Sequence, residues 1–286
     1  MTIQNTKHKP KIIAFTLQKG GVGKTSCVVN LAAALSSMKR TKHSRYKNRI
    51  LIIDMDVHAT ASRYLGVYDK KRKSIYDALT EKCNFDDIIR EVRYEFGRYG
   101  TCQIDIAPID VYAATIESKW LEYEAPKYLL SNALKKSNRL KEYDYVFIDC
   151  PPESNCLLSN VYNACNYFVL PILPDTQSFS NISITYKQLS TLSTDMKEKT
   201  VIGTIINNYE ETPLSRSYIN FYYTSKDAED YKCFDTIIPH CKRYDQTLFK
   251  KMPVIFYHRN IHKIPSIFSS FMALAKEFNE RVKALN

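Results

Sequence analysis

Glycine is the residue this sequence has least use for: seven occur in 286 positions, at 20, 21, 23, 66, 97, 100 and 203. Three of the seven fall within four consecutive residues, so the chain demands backbone freedom or close approach at that one place. Long apolar runs are absent too. None approaches the ~18 residues that a membrane span needs, and the polar start MTIQNTKHKPK has no apolar stretch like that of a signal peptide. A soluble, cytoplasmic protein is the expectation. The eight cysteines (27, 83, 102, 150, 156, 165, 233, 241) include no C-x-x-C pair and none flanked by glycine. Zinc ribbons and iron–sulfur clusters are thereby disfavoured, and reduced thiols expected. Only about ten residues precede the first apolar run, so no N-terminal helix-turn-helix domain is expected.

What is present suits one large α/β domain over residues 1–286, with 1–10 as a short extension. Hydrophobic residues make up 44% of the chain, enough for a sizeable core. Net charge is +11 with a pI near 9.1, which favours a polyanionic partner, nucleic acid or an acidic membrane surface, without bearing on fold. The abundance of Lys, Asn, Ile and Tyr is also what an AT-rich genome encodes, so charge alone decides nothing.

Short apolar runs alternate with helical patterns, the signature of a mostly parallel, twisted sheet flanked by helices in three layers. The spacing predicts strands over about 11–16, 50–54, 103–107, 144–149, 167–171, 201–206 and 235–238. Helices are expected over about 24–38, 74–80, 126–138, 155–164, 179–194, 214–226 and 264–284. RILIIDMD and YDYVFIDC are nearly continuous hydrophobics, as strands buried on both faces should be. KRTKHSRYKNR (39–49) and DKKRKS (69–74) read as basic surface loops.

The glycines sit in KIIAFTLQKGGVGKTS, between a predicted strand and a predicted helix. Strand, glycine-rich turn and helix N-terminus aim successive backbone N–H groups at one point, which makes an anion site; Lys24 adds a charge for β- and γ-phosphates and Thr25 a hydroxyl for Mg²⁺. A P-loop should read G-x-x-x-x-G-K-[ST], yet Gln18 occupies the place of the first glycine and a second lysine, Lys19, precedes the others. Three strand-terminal carboxylates accompany the loop: Asp149 closes YDYVFIDCPP, and Asp54 and Asp56 close RILIIDMD. One such aspartate is commonly a cap or turn residue. Three beside a phosphate loop point to metal and water chemistry.

These segments resemble the ParA/MinD group of deviant-Walker P-loop ATPases, most closely the Soj-like plasmid and chromosome partition proteins. The deviant loop K-G-G-x-x-K-[ST] is Lys19-Gly20-Gly21-Val22-Gly23-Lys24-Thr25, followed by Ser26; D-x-D-P-Q is represented by Asp54-Met55-Asp56-Val57-His58; D-x-P-P is Asp149-Cys150-Pro151-Pro152. SIYDALTEK, IDIAPIDVYAA, VIGTIINNY and TIIPHCKRYDQTLFKKMPVIFY are similar to later family segments, so the likeness runs from about residue 11 to the end. The resemblance implies ATP and Mg²⁺ as cofactors and slow ATP hydrolysis. It implies that Lys19 crosses a homodimer interface to the partner's phosphates, Lys24 grips its own, Thr25 ligates Mg²⁺, Asp54 and Asp149 lie near the metal, and Asp56 positions the attacking water. Asn207 and Pro239 fall where the family recognises adenine. Val57-His58, His240, Ser180 and Asn181 depart from the family pattern and bear on hydrolysis and partner coupling, not on nucleotide binding.

The resemblance further implies ATP dimers spread over nucleoid DNA without sequence preference, with hydrolysis stimulated by a ParB-like centromere-binding partner. Lys/Arg clustered on one face suffices for such binding. From 239 to 263 the chain carries Lys242, Arg243, Lys250, Lys251, Arg259 and Lys263 against Asp245 alone; Arg216 and Lys187 are further candidates, and the 39–49 loop a lower-ranked one. The alternative is a membrane-associated positioning ATPase of the MinD kind, which would need SIFSSFMALAKEFNERVKALN as a surface-seeking helix. Its polar face is mixed in charge, so packing against the sheet is expected instead. A metabolic P-loop enzyme or a pure DNA-coating protein finds less support.

Overall fold

The computed structural model describes residues 9–39, 47–95, 101–119, 122–192, 199–224, 231–257 and 265–285. The apolar runs of RILIIDMD and YDYVFIDC become β2 (Ile50–Asp54) and β5 (Tyr145–Asp149), every residue of each buried. They sit at the centre of a seven-stranded sheet with β1 (Lys11–Phe15), β3 (Arg90–Glu95), β4 (Thr101–Ala107), β6 (Tyr167–Ile172) and β7 (Thr200–Ile206), in the order β3-β4-β2-β5-β1-β6-β7. All neighbours run parallel except β3 with β4.

Along the chain the helices are α1 (Lys24–Ser37), α2 (Thr60–Tyr64), α3 (Ile75–Leu79), α4 (Thr115–Ser118), α5 (Leu129–Lys136), α6 (Cys156–Ala164), α7 (Thr176–Leu192), α8 (Pro213–Thr224), α9 (Tyr244–Phe249), α10 (Val254–Tyr257) and α11 (Pro265–Lys283). Two cores result, one on each face of the sheet. Val28, Leu31 and Leu35 of α1 and Phe271, Leu274 and Phe278 of α11 belong to one; Leu130 and Leu134 of α5, Val161 of α6 and Ile182 of α7 belong to the other. The apolar side of α11 is thus spent on the core, as its mixed polar face suggested. Among the described residues no helix is long and apolar enough to cross a membrane.

Two strand expectations need correction. β3 (REVRYE) was not foreseen because charged and apolar residues alternate in it. It is an edge strand with one buried face and so lacks the continuous apolar run of the central strands. The segment 235–238 is not a strand. The chain on either side of it makes two isolated bridges, Thr204 with Cys233 and Tyr209 with Pro239. Between these, the N–H groups of Asp235 and Thr236 donate to the Glu277 carboxylate of α11 (2.9 and 3.1 Å) and are lost to any ladder. Short α2, α4, α9 and α10 also lie below the length at which periodicity is readable. Most of the 39–49 loop, and both Arg259 and Lys263, fall outside the described residues.

Candidate active site

The sheet order puts β1 between β5 and β6, so the turn leaving β1 opens at the carboxyl ends of the central strands, where α/β folds keep their ligands. Register then brings the carboxylates together: Asp149 lies beside Phe15 on one side and Asp54 on the other. The spacing of two apolar strands, each ending in aspartate, therefore fixes two buried acids next to the glycine loop.

Within the loop Gly21 and Gly23 have φ of 74° and 84°, in the left-handed region that favours glycine. A Cβ on Gly23 would stand 2.1 Å from Nδ2 of Asn207. That amide donates to the Val22 carbonyl at 2.9 Å, bracing the loop from outside. A Cβ on Gly20 or Gly21 would meet nothing within 4 Å, so the loop's other side faces open space. Lys24 is only 7% exposed, and its Nζ donates to the carbonyls of Leu17 (3.2 Å) and Lys19 (2.8 Å). Burial pushes the Lys24 ammonium below its ordinary pKa, while Asp149, Cys150 and Asp56 oppose the shift.

Lys19 behaves differently. Its Nζ turns out of its own loop to the carboxylate of Asp175 (2.5 Å), with the Ser178 hydroxyl at 3.5 Å. Asp175 also accepts from the Ser178 N–H (2.7 Å) at the start of α7. Burial raises the Asp175 pKa, but Lys19 and Ser178 outweigh it and leave the group below its ordinary value.

The three acids have distinct surroundings. Asp54 is fully buried and pushed up to about 7 by burial, against the Ser62 hydroxyl and N–H that donate to it (2.6 and 2.8 Å). Asp149 accepts from the Thr25 hydroxyl at 2.7 Å. Burial, then Asp54, pushes it well above the carboxylate range. Its second oxygen, Oδ1, is buried without a hydrogen-bond partner. Asp56 is held from one side: Oδ1 accepts from the His58 N–H (3.0 Å) and lies 2.9 Å from the His58 ring Nδ1.

The orphaned Oδ1 of Asp149, on a carboxylate that already accepts from the Thr25 hydroxyl, fits a divalent cation. Among the described residues no three His, Cys, Asp or Glu side chains form a direct metal cage. Mg²⁺ keeps several waters and takes few protein ligands.

Two adjoining cavities meet at the loop. One, of about 280 Å³, is lined by residues 20–26 with Asp56, Pro152 and Leu248. The other, of about 490 Å³, is lined by Gly21, Gly23, Asn207, Pro239, Cys241 and Tyr244 among others. The first has the size and donors for phosphates. Asn207 and Pro239 do share the second, though the amide nitrogen of Asn207 is already committed to Val22. Of the basic candidates, Lys242, Arg243, Lys250 and Lys251 flank α9, whereas Arg216 stands on α8, ion-paired with Glu211 at 2.7 Å. Sequence reasoning missed Asp175, Ser178, Ser62 and Tyr244. For Asp175 there was a signal: an Asp in the turn between a strand and a helical pattern is a common helix N-cap.

A family model described as "AAA domain" matches residues 10–202. The sporulation initiation inhibitor protein Soj of Bacillus subtilis is 28% identical over 255 residues, 86% of this chain and 91% of Soj. The chromosome partitioning protein ParA of Myxococcus xanthus is 27% identical over 280 residues, 95% of this chain and 88% of that one. Among solved structures, a plasmid partition protein of Borrelia burgdorferi bound to AMPPNP shares the fold at a TM-score of 0.71, with 20% identity, covering 97% of this chain and 100% of its own.

Proposed function

The chain belongs to the AAA-domain family of P-loop ATPases, with Soj and ParA among its relatives, and from that premise we propose that it is a partition ATPase whose ATP-bound form is a homodimer on DNA. The observation that carries this reading is the division between two lysines. Lys24 lies across its own loop, bonded to the Leu17 and Lys19 carbonyls. Lys19 points away from that loop and is parked on Asp175. A second cation so close to the phosphates, yet not aimed at them, has a role when another copy's nucleotide approaches.

In this reading the loop N–H groups and Lys24 bind the β- and γ-phosphates, exchanging the loop carbonyls for phosphate oxygens. The base end of the nucleotide takes the cavity lined by Asn207 and Pro239. Mg²⁺ would be held by Thr25 with Asp149 beside it and Asp54 behind, where it neutralises charge on the phosphates. Asp56, steadied by His58, orients water for attack on the γ-phosphate. Lys19 from each copy adds positive charge at the other's phosphates, so dimerisation and nucleotide binding become linked. Loss of the γ-phosphate on hydrolysis removes that link, and a centromere-binding protein sets its timing.

The nucleoid contact rests on Lys242, Arg243, Lys250 and Lys251 around α9, with Arg216 and Arg259 as additional candidates. Binding of the protein to an unrelated DNA duplex, with ATP and Mg²⁺ at low salt, is the test. Affinity should fall steeply with salt. An absence of binding under those conditions contradicts the partition reading.

A further inference from the structure

The helix α9 has two unlike sides. On its inner side Thr247 is fully buried, its hydroxyl 2.9 Å from that of Tyr64 and donating to the Tyr244 carbonyl at 2.7 Å. The Tyr244 ring packs edge-on against Tyr64, with centroids 5.7 Å apart. At its outer end stands Phe249, 82% exposed, the most exposed of the large apolar side chains among the described residues. Neighbouring Leu248 turns inward to the phosphate cavity, so exposure of Phe249 is not forced by a shortage of apolar surface nearby.

The setting of that ring is cationic. Lys242 and Arg243 precede the helix and Lys250 and Lys251 follow it, with Asp245 the acid within this stretch. None of the four cations has an ion-pair partner among the described residues. Lys250 Nζ lies 6.0 Å from the Phe249 ring centroid. A second copy docking here would bring like charges together, and a single ring on a six-residue helix lacks the broad apolar face of a membrane-seeking element. A polyanion with apolar ring systems between its charges satisfies both halves of the patch.

We infer that Phe249 is a non-ionic contact to duplex DNA, its ring packing on sugar and base edges while the flanking cations hold phosphates. This rests on the DNA-binding reading above and adds to it a component that salt does not screen. The experiment is a salt titration of duplex affinity, with ATP and Mg²⁺, for wild type, Phe249→Ala and the double variant Lys250→Ala/Lys251→Ala. Phe249→Ala should bind about tenfold more weakly at every salt concentration, with an unchanged slope of log K on log [salt]. The double lysine variant should flatten that slope by about two, near 0.9 per lost phosphate contact. Phe249→Trp should restore affinity and show DNA-dependent quenching of its fluorescence, read above that of Trp120, the one native tryptophan.

Because Phe249 is exposed, thermal melts of Phe249→Ala should match wild type. Equal affinity of Phe249→Ala and wild type overturns the inference while leaving the DNA-binding reading in place. Loss of ATP-dependent dimerisation in Phe249→Ala overturns it in favour of a contact between copies. Selective loss of binding to anionic vesicles overturns it in favour of a lipid surface. Failure of wild type to bind duplex at all overturns both this inference and the reading beneath it.

Discussion

Lys19 and Asp175 show how one residue pair can hold a molecule back. The tie is partly exposed, at 15% and 36% of the two side chains, so releasing it costs on the order of 1 kcal/mol or less. Asp175→Asn keeps a helix-capping side chain and removes the charge. It should therefore lower the ATP concentration for half-maximal dimerisation by up to about fivefold, measured by light scattering. Asp175 is held below its ordinary pKa, so the tie is intact at neutral pH and is lost only as pH falls through that lowered value. Variant and wild type should accordingly differ across neutral pH and converge in acid. Gly23 gives a second residue-scale test. Gly23→Ala combines a φ of 84° with a clash that displaces the Asn207 amide from the Val22 carbonyl, and nucleotide affinity by calorimetry should drop about 10- to 100-fold. The Gly23 requirement was legible as sequence, because glycine is scarce elsewhere. The contact with Asn207 was not, since the two are separated by 184 positions and meet only through the sheet order.

At the scale of elements, α2 and α9 are joined beneath the loop. Tyr64 of α2 meets Thr247 of α9 (2.9 Å) and the Asn30 amide of α1 (3.5 Å), while Ser62, two residues earlier, holds Asp54. The helix that holds Asp54 through Ser62 thus also holds α9 through Tyr64, by buried hydrogen bonds at both places. Thr247→Val keeps the shape and removes the hydroxyl, and it should cost roughly 1–2 kcal/mol of stability, seen as a fall of a few degrees in thermal melting. Continuous apolar runs exposed β1, β2, β5, β6 and β7 to sequence reading, and the two aspartates that end β2 and β5 came with them. β3 escaped because Arg90 and Glu91 begin it, and the 235–238 segment misled because Glu277 intercepts the N–H groups that would have joined the sheet. His58 was noticed as a departure from the family pattern, but its grip on Asp56 depends on a turn that spacing alone does not specify.

For the whole molecule, net charge is +11, and the proposed reading assigns it two anionic partners, the nucleotide at the two-lysine loop and DNA at the basic residues around α9. In the proposed cycle ATP joins the two by pairing copies, and each pair presents two basic surfaces together. The central claim is that Lys19 acts on the partner's nucleotide. Molar mass by light scattering, with a non-hydrolysable ATP analogue and Mg²⁺, tests it for wild type and Lys19→Ala, alongside nucleotide affinity by calorimetry. The account predicts a dimer for wild type and a monomer for Lys19→Ala, with nucleotide affinity changed by less than about threefold, under 1 kcal/mol. A Lys19→Ala protein that dimerises as wild type does would contradict it.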